Sequence, residues 1–413
     1  MERCKDNNNR VLKDGESYRE KEHRYMYRWV DSDKKRHCVY AQTLAELRIK
    51  EKDIIRNRVD EINTAGGNLR LDDVYDLWKK NKVGLKESTQ VNYQYMYDRF
   101  VGPKIGKMKV KDIRKTTILQ LYNSLTQCND IGKTMAINTL EIVHNVLSQI
   151  LQVAVDDDYI RKNPTDGALR EIKQANSYER PKRKALTLEQ QKKFIDFLKT
   201  NPRYYSWSIL FAVLLGTGCR IAEFIGLRWC DIDWENNAIS INHNLVYRKH
   251  TDGKCYFSIS TTKTSAATRI IPMMADVRRA LEDERVRQQE LGVKCTAVID
   301  GYTNFIFFNR FGNPHQPAAI NREINRIILA YNAQEMHTSE VESREAVILP
   351  TFSCHNLRHT FCTRMCESES NIKVIQDVMG HADIKTTMEV YAEAQKELKQ
   401  RSIQSLSAQI KVY

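Results

Sequence analysis

Apolar positions change their period along this chain, and each change predicts a different kind of element. Near the N-terminus the period is two. Arg24–Val30 sets Tyr25, Tyr27 and Trp29 on one face and Arg24, Met26 and Arg28 on the other. Asn9–Lys13 and Lys35–Gln42 read as companion strands, with turns at Asp14-Gly15 and Asp31–Lys34. Thr43 then caps a helix running to about Asn63, where Ala65, Gly66 and Gly67 break it. The expectation is a small module of three strands and one helix.

From Leu69 the period becomes helical. Leu71, Val74, Leu77 and Trp78 share a face, and a second helix through Val91, Tyr95 and Phe100 stops near Gly102-Pro103. Lys104–Lys115 reads as a basic loop, with Thr116 and Thr117 capping a helix through Leu119 and Tyr122. A long amphipathic helix, Ala136–Asp157, follows on Leu140, Val143, Leu147, Ile150, Leu151 and Ala154, and Asn163-Pro164 ends the unit. This pattern predicts a bundle of four or five helices. Glu171–Ala185 is polar and basic without apolar periodicity, which is linker chemistry.

Beyond the linker, Thr187–Gln190 forms a capping box for a helix carrying Phe194 and Phe197. An apolar run, Ser206–Leu215, ends in glycines just before Arg220, which falls at a helix N-terminus where backbone N–H groups favour an anion. Glu223 and Leu227 are expected on that next helix. Ala238–His243, Cys255–Ser260 and Arg269–Pro272 read as strands, with Lys263 at the tip of a polar turn. Helices are expected at Asp276–Leu291 and Pro317–Asn332. Further on, His355 and Arg358 sit three residues apart at a helix start, on one face and able to meet one anion. His381 follows Gly380, and Tyr391 lies ten residues later. The tail, Ala392–Tyr413, keeps a helical pattern through Leu398, Ile403, Leu406 and Ile410.

A length of 413 residues leaves room for two or three domains. The net charge of +13 favours a polyanionic partner, because Lys and Arg neutralising phosphates supply most non-specific DNA affinity. The ten cysteines include no CxxC pair, so neither a disulfide framework nor a zinc ribbon is expected. His355, His359, Cys362 and Cys366 share a helix face in the manner of a metal stripe. Four ligands strung along one straight helix cannot converge on a tetrahedral ion, and HExxH is absent, so no metal is expected. No apolar run reaches the roughly 18 residues of a membrane span, and no signal peptide opens the chain. A cytoplasmic protein without a membrane partner is the expectation.

Each of these residues alone reads as a solvated charge or a core side chain. Together and in order, GTGCRIAEFIGLRWCDID, TTKTSAATRIIPM, HNLRHTF, VMGHADIKTT and Tyr391 resemble the tyrosine recombinase (phage integrase) family. KDGES, RYMYRWVD and VYAQTLAELR are similar to the arm-binding domain of conjugative-transposon integrases. The resemblance implies a multidomain α+β fold. Residues 1–66 would be an arm-type DNA-binding module, a three-stranded sheet plus helix. Residues 67–173 would be a helical, SAM-like core-binding domain, and 174–185 a basic linker. Residues 186–400 would be a mainly helical catalytic domain with a small antiparallel sheet, and 401–413 a tail.

The implied activity is integration and excision of a mobile element through a 3′-phosphotyrosyl intermediate. Tyr391 would be the nucleophile, Arg220 and Arg358 the phosphate clamp, and His381 a hydrogen-bond donor to the phosphate. His355 would assist proton transfer, Lys263 would protonate the leaving oxygen, and Glu223 and His359 would support the site. DNA contacts are expected from Arg24, Arg28, Lys104, Lys107, Lys109, Lys182 and Arg183. No cofactor is implied. The implied partners are double-stranded DNA, three further copies in a homo-tetramer, and an excisionase or DNA-bending protein, at the nucleoid of a bacterial cytoplasm. Two rival readings are a type IB topoisomerase and a DNA-binding regulator on a degenerate recombinase fold. The extra N-terminal module argues against the first, and the filled catalytic positions argue against the second.

Overall fold

The structure is a computed structural model that describes residues 5, 6, 8, 10–30, 36–59, 69–127, 134–178, 184–261 and 268–409. The chain divides into two units, Met1–Arg180 and Pro181–Tyr413. Among the described residues no helix is long and apolar enough to cross a membrane.

The first unit opens with an antiparallel sheet in the order β1 (Glu16–Arg19), β2 (Arg24–Val30), β3 (Arg36–Ala41), followed by α1 (Leu44–Val59). Period-two alternation decides the faces. Tyr25 packs with Leu12, Ala41, Leu44 and Leu47, joined by Tyr18, Tyr27 and Val39, while Arg24 and Arg28 point the other way. Of the strand expected at Asn9–Lys13, the described residues 10–13 are not the first strand of the sheet. Val11 makes only a single bridge, to Lys5, and the strand begins after Gly15, whose φ of +84° suits the reversal. Pairing then runs from Glu16↔Tyr27 to Arg19↔Arg24. The turn expected at Asp31–Lys34 and the break at 65–67 lie outside the described residues.

The helical part of this unit comprises α2 (Leu71–Asn81), α3 (Glu87–Met96), α4 (Lys115–Thr126), α5 (Ile137–Asp156) and α6 (Ala168–Ala175). All six apolar positions expected on α5 are fully buried, each worth about 1.5–3 kcal/mol for its larger side chains. The second helix departs from expectation. It runs on as a wider π-helical segment, Tyr97–Gly106, through Pro103, and buries Met96, Tyr97, Val101 and Ile105 rather than Tyr95. A π-type pitch rotates the apolar face, which a 3.6-residue reading misplaces. Asp72 accepts from the Tyr97 hydroxyl at 2.8 Å and anchors that segment. The basic loop is correspondingly shorter, since Lys104 is still helical. The stretch read as linker starts inside α6, whose Ala168 and Ile172 are buried.

The second unit contains α7 (Leu188–Thr200), α8 (Tyr205–Thr217), α9 (Ile221–Phe224), β4 (Ile232–Asp233), β5 (Ala238–Ile241), β6 (His243–Lys249), β7 (Cys255–Thr261) and β8 (Arg269–Pro272). Next come α10 (Ala275–Glu290), α11 (Pro317–Val341), α12 (Cys354–Ser368), α13 (Ile372–Met379) and α14 (Ile384–Gln409). The strands form two antiparallel ladders, β4-β5-β8 and β6-β7. β6 extends the hairpin beyond the strand expected at Ala238–His243. Beyond its exposed first turn α8 is apolar because α7, α10 and α12 pack on it, and Ile209, Leu210, Phe211, Val213 and Leu214 are buried. α9 is a single turn, so Leu227 lies beyond it, buried in the following loop.

Candidate active site

The site is built where two helices end in left-handed glycines. α8 stops at Gly218, φ +60°, and a Cβ there would overlap the Phe361 ring of α12. The reversed chain makes Arg220 the N-cap of α9, with extended dihedrals. Its backbone N–H donates to Glu223 Oε2 at 2.9 Å, and its Nη1 donates to Glu223 Oε1 at 2.7 Å. α13 stops at Gly380, φ +62°. Its end exposes carbonyls that have no partner within the helix.

Those carbonyls go to three arginines. Arg269 Nε donates to Val378 O at 2.7 Å, Arg358 Nη2 to Met379 O at 2.6 Å, and Arg220 Nη2 to Gly380 O at 2.7 Å. Arg358 also donates from Nη1 to Gly218 O at 2.6 Å, tying the two glycine turns together. Three guanidinium planes are thus fixed by backbone before any ligand arrives. One carboxylate faces them. Glu223, 2 % exposed, accepts from Arg220 and, through both oxygens, from Arg269 at 3.1 and 2.9 Å.

Burial works against a charge on Glu223, but the Arg269 hydrogen bonds and charge, then Arg220, outweigh it and hold the carboxyl below its ordinary range. Burial first, and then the charge of Arg220, brings Arg358 down to about 10, which leaves it cationic at neutral pH. One carboxylate against three arginines leaves a local excess of positive charge. Arg220, 37 % exposed at its side chain, is where that charge meets solvent. Such a cluster suits an oxyanion.

His381 follows the α13 turn directly. Its Nδ1 lies 3.0 Å from the hydroxyl of Thr387, which is fully buried on α14. Burial, then Arg358, Arg220, Arg269 and His355 push the imidazole down to about 4, so it is neutral at pH 7. α12 starts with Ser353 as N-cap, capped reciprocally by Asn356, and carries exposed His355 one turn from buried Arg358. His359 is half-buried on the same helix. Tyr391 stands on α14, half-buried, and packs with Val390, Phe361 and Met365 around Cys362, Cys366, Ile375, Met379 and Ala394. Cys362 and Cys366 are thus core thiols. Among the described residues no group of three or more His, Cys, Asp or Glu is placed to hold a metal ion.

Of the residues expected from sequence, Arg220 bonds Glu223 directly, Arg220 and Arg358 hold successive carbonyls of the α13 turn, and His381 follows that turn, with His355 on α12 and Tyr391 on α14. Lys263 lies outside the described residues, in the segment joining β7 to β8, as do Lys182 and Arg183. Arg269 was missed. Its signal was the strand alternation, which puts Arg269 and Ile271 inward and Ile270 and Pro272 outward. In the first unit, Arg24 and Arg28 share the sheet face away from α1, Arg24 lying 4.1 Å from the Tyr40 ring centre and paired with Glu22 at 2.5 Å. Lys104, Lys107 and Lys109 are exposed, and Lys104 donates to Ser124 Oγ at 2.6 Å.

The phage integrase family profile matches residues 184–397, that of the DNA binding domain of Tn916 integrase matches 1–58, and that of the phage integrase N-terminal SAM-like domain matches 70–126. The transposase from transposon Tn916 of Enterococcus faecalis is 29 % identical over 406 residues, covering 95 % of this chain and 94 % of its own. A XerC-like tyrosine recombinase of Caldanaerobacter subterraneus is 24 % identical over 377 residues, covering 89 % and 90 %. Among solved structures, the Tn1549 transposon integrase in complex with a circular intermediate DNA superposes with a TM-score of 0.67 at 26 % identity, covering 81 % of this chain and 99 % of that one. With its catalytic family matched over more than half of its length, the chain belongs to the phage integrase family and is a site-specific DNA recombinase of the tyrosine type, resembling conjugative-transposon integrases.

Proposed function

We propose that Tyr391 attacks a scissile phosphate at the end of a mobile element, forming a 3′-phosphotyrosyl bond while the P–O5′ bond breaks. Attack builds negative charge on the non-bridging oxygens, and preorganised cations stabilise it best. Arg220 and Arg358 clamp those oxygens with the N–H groups that remain beside their backbone contacts. Neutral His381 donates a further hydrogen bond, His355 assists removal of the Tyr391 proton, and Lys263 protonates the leaving 5′ oxygen. Glu223 orients Arg220, and His359 packs the site. A 5′-hydroxyl from the partner strand then reverses the step. One phosphoester replaces another, so the exchange itself consumes no energy-rich cofactor.

The observation that carries this reading is the delivery of three successive carbonyls, Val378 to Gly380, to three arginines immediately before His381. We further propose that residues 1–66 grip element-end repeats through Arg24 and Arg28, while residues 67–173 and 186–400 clamp the crossover site. Four copies would act on two duplexes with an excisionase or bending protein. The circular intermediate DNA held by the Tn1549 integrase supports the choice of substrate.

The test is covalent trapping. Wild type and Tyr391→Phe are incubated in chelator with a nicked suicide duplex carrying the element end. An adduct on a denaturing gel with wild type only is the expected result. Binding without an adduct, across several candidate ends, would replace this reading with a DNA-binding regulator. Recombination of two duplexes separates an integrase from a topoisomerase.

A further inference from the structure

We infer that Arg269 is a positioning residue of the recombinase site, one that shares the charge of Glu223 so that Arg220 stays available to the phosphate. This rests on the tyrosine–phosphate reading above. Arg269 is 8 % exposed, its Nη1 and Nη2 are both on Glu223, and its Nε is on Val378 O, so it faces the protein rather than DNA. Its anchor is rigid. Arg269 pairs with Ile241 at the end of the β5–β8 ladder, and its Cδ and Nη1 lie 3.0 Å from where a Cβ on Gly380 would sit.

The consequence follows from geometry. Glu223 Oε1 accepts from Arg220 and Arg269 together. With Arg269 holding both carboxylate oxygens, the plane of Glu223 is set, and Arg220 donates one side-chain hydrogen bond to it rather than a fork. Without Arg269, the Arg220 backbone N–H is left as the restraint on Oε2, and Glu223 can turn to chelate the Arg220 side chain with both oxygens, which neutralises that guanidinium and draws it from the phosphate. The Val378 carbonyl also loses its donor, which loosens the turn that seats Arg358 and His381. Arg269 is therefore the strut between β8, α9 and the α13 turn.

The experiment measures single-turnover cleavage of the nicked duplex at saturating DNA, beside DNA affinity and thermal unfolding, for wild type, Arg269→Met, Arg269→Lys and each in an Arg220→Lys background. Arg269→Met is expected to slow cleavage about 100-fold, the scale of a misplaced catalytic group, with DNA affinity changed less than about threefold. Arg269→Lys keeps the charge but not the fork, and is expected to slow cleavage about tenfold. In the Arg220→Lys background either change adds less than about threefold, because residues acting as one unit are not additive. A merely structural role would lower unfolding temperature and affinity together and multiply fully with Arg220→Lys, which overturns the proposal. So does cleavage by Arg269→Met within about threefold of wild type. If Arg269→Met does not fold, Arg269→Lys carries the same comparison. If wild type gives no Tyr391-dependent adduct, the recombinase reading fails and takes this one with it. An active wild type beside an equally active Arg269→Met sinks this proposal alone.

Discussion

Replacing Glu223 by glutamine changes one atom and one charge at the centre of the site. In the native protein Oε1 accepts from Arg220 Nη1 at 2.7 Å and Arg269 Nη1 at 3.1 Å, and Oε2 accepts from the Arg220 backbone at 2.9 Å and Arg269 Nη2 at 2.9 Å. Whichever way the amide is turned, its NH₂ faces two donors, so two hydrogen bonds are lost. Breaking a buried ion pair by removing one partner costs about 3–5 kcal/mol. Arg220 is 37 % exposed and rehydrates, so the lower end, about 3 kcal/mol, is expected. For a unit of roughly 150–250 residues that corresponds to a fall in melting temperature of about 6–12 °C.

The pH dependence supplies a second check. The Glu223 carboxyl is held below its ordinary 4.5, with burial opposing and Arg269 and Arg220 prevailing. For a depressed carboxylate the stabilisation is complete above the unfolded value and is lost as pH falls through the folded one. Glutamine has no such titration. The gap between wild type and Glu223→Gln in circular-dichroism melts is therefore widest near neutral pH and begins to narrow as pH falls below about 4.5. A variant melting within about 2 °C of wild type at neutral pH, or a gap independent of pH, would refute the reasoning.

Other outcomes follow from the same contacts. Thr387→Val removes the hydroxyl that lies 3.0 Å from His381 Nδ1, and is expected to slow cleavage about tenfold with Thr387→Ser near wild type; a wild-type rate for the valine variant sinks it. In nitrogen-15 spectra of the free protein, His381 stays neutral from pH 8 to about pH 5 and protonates near its depressed value of about 4, so its share of stability is present above the ordinary 6.5 and lost as pH falls through about 4; a midpoint above 6 contradicts the burial argument. Gly218→Ala forces a Cβ at φ +60° into Phe361, and is expected to lose about 2–4 kcal/mol in denaturant titrations, part of it recovered by Phe361→Leu; no recovery rejects the contact as the cause. Arg28→Ala, on the open face of the N-terminal sheet, is expected to weaken binding to element-end repeats and to reduce the salt slope of that binding by about 0.9; an unchanged slope removes Arg28 from the DNA contacts.

Much of this molecule was legible in one dimension because its physics is local. The apolar rows of α5, the Thr187 capping box and the place of Arg220 before α9 depend on residues three or four apart, which helical geometry alone brings together. The misread elements share a cause. The π-helical turn after Met96 and the strand that begins at Glu16 rather than Asn9 depend on a pitch and a pairing that propensity does not encode. At the site, sequence supplied the residues, and their order marked the family. The circuit among them belongs to the tertiary structure. Arg220 reaches Gly380 across 160 positions, Arg358 reaches Gly218 across 140, and Arg269 reaches Val378 across 109 and Glu223 across 46. Orphan carbonyls at a helix end advertise a need for donors but do not name them. Only the packing of β8, α9 and α12 around one glycine turn decides that three arginines answer, and that the third, Arg269, faces inward.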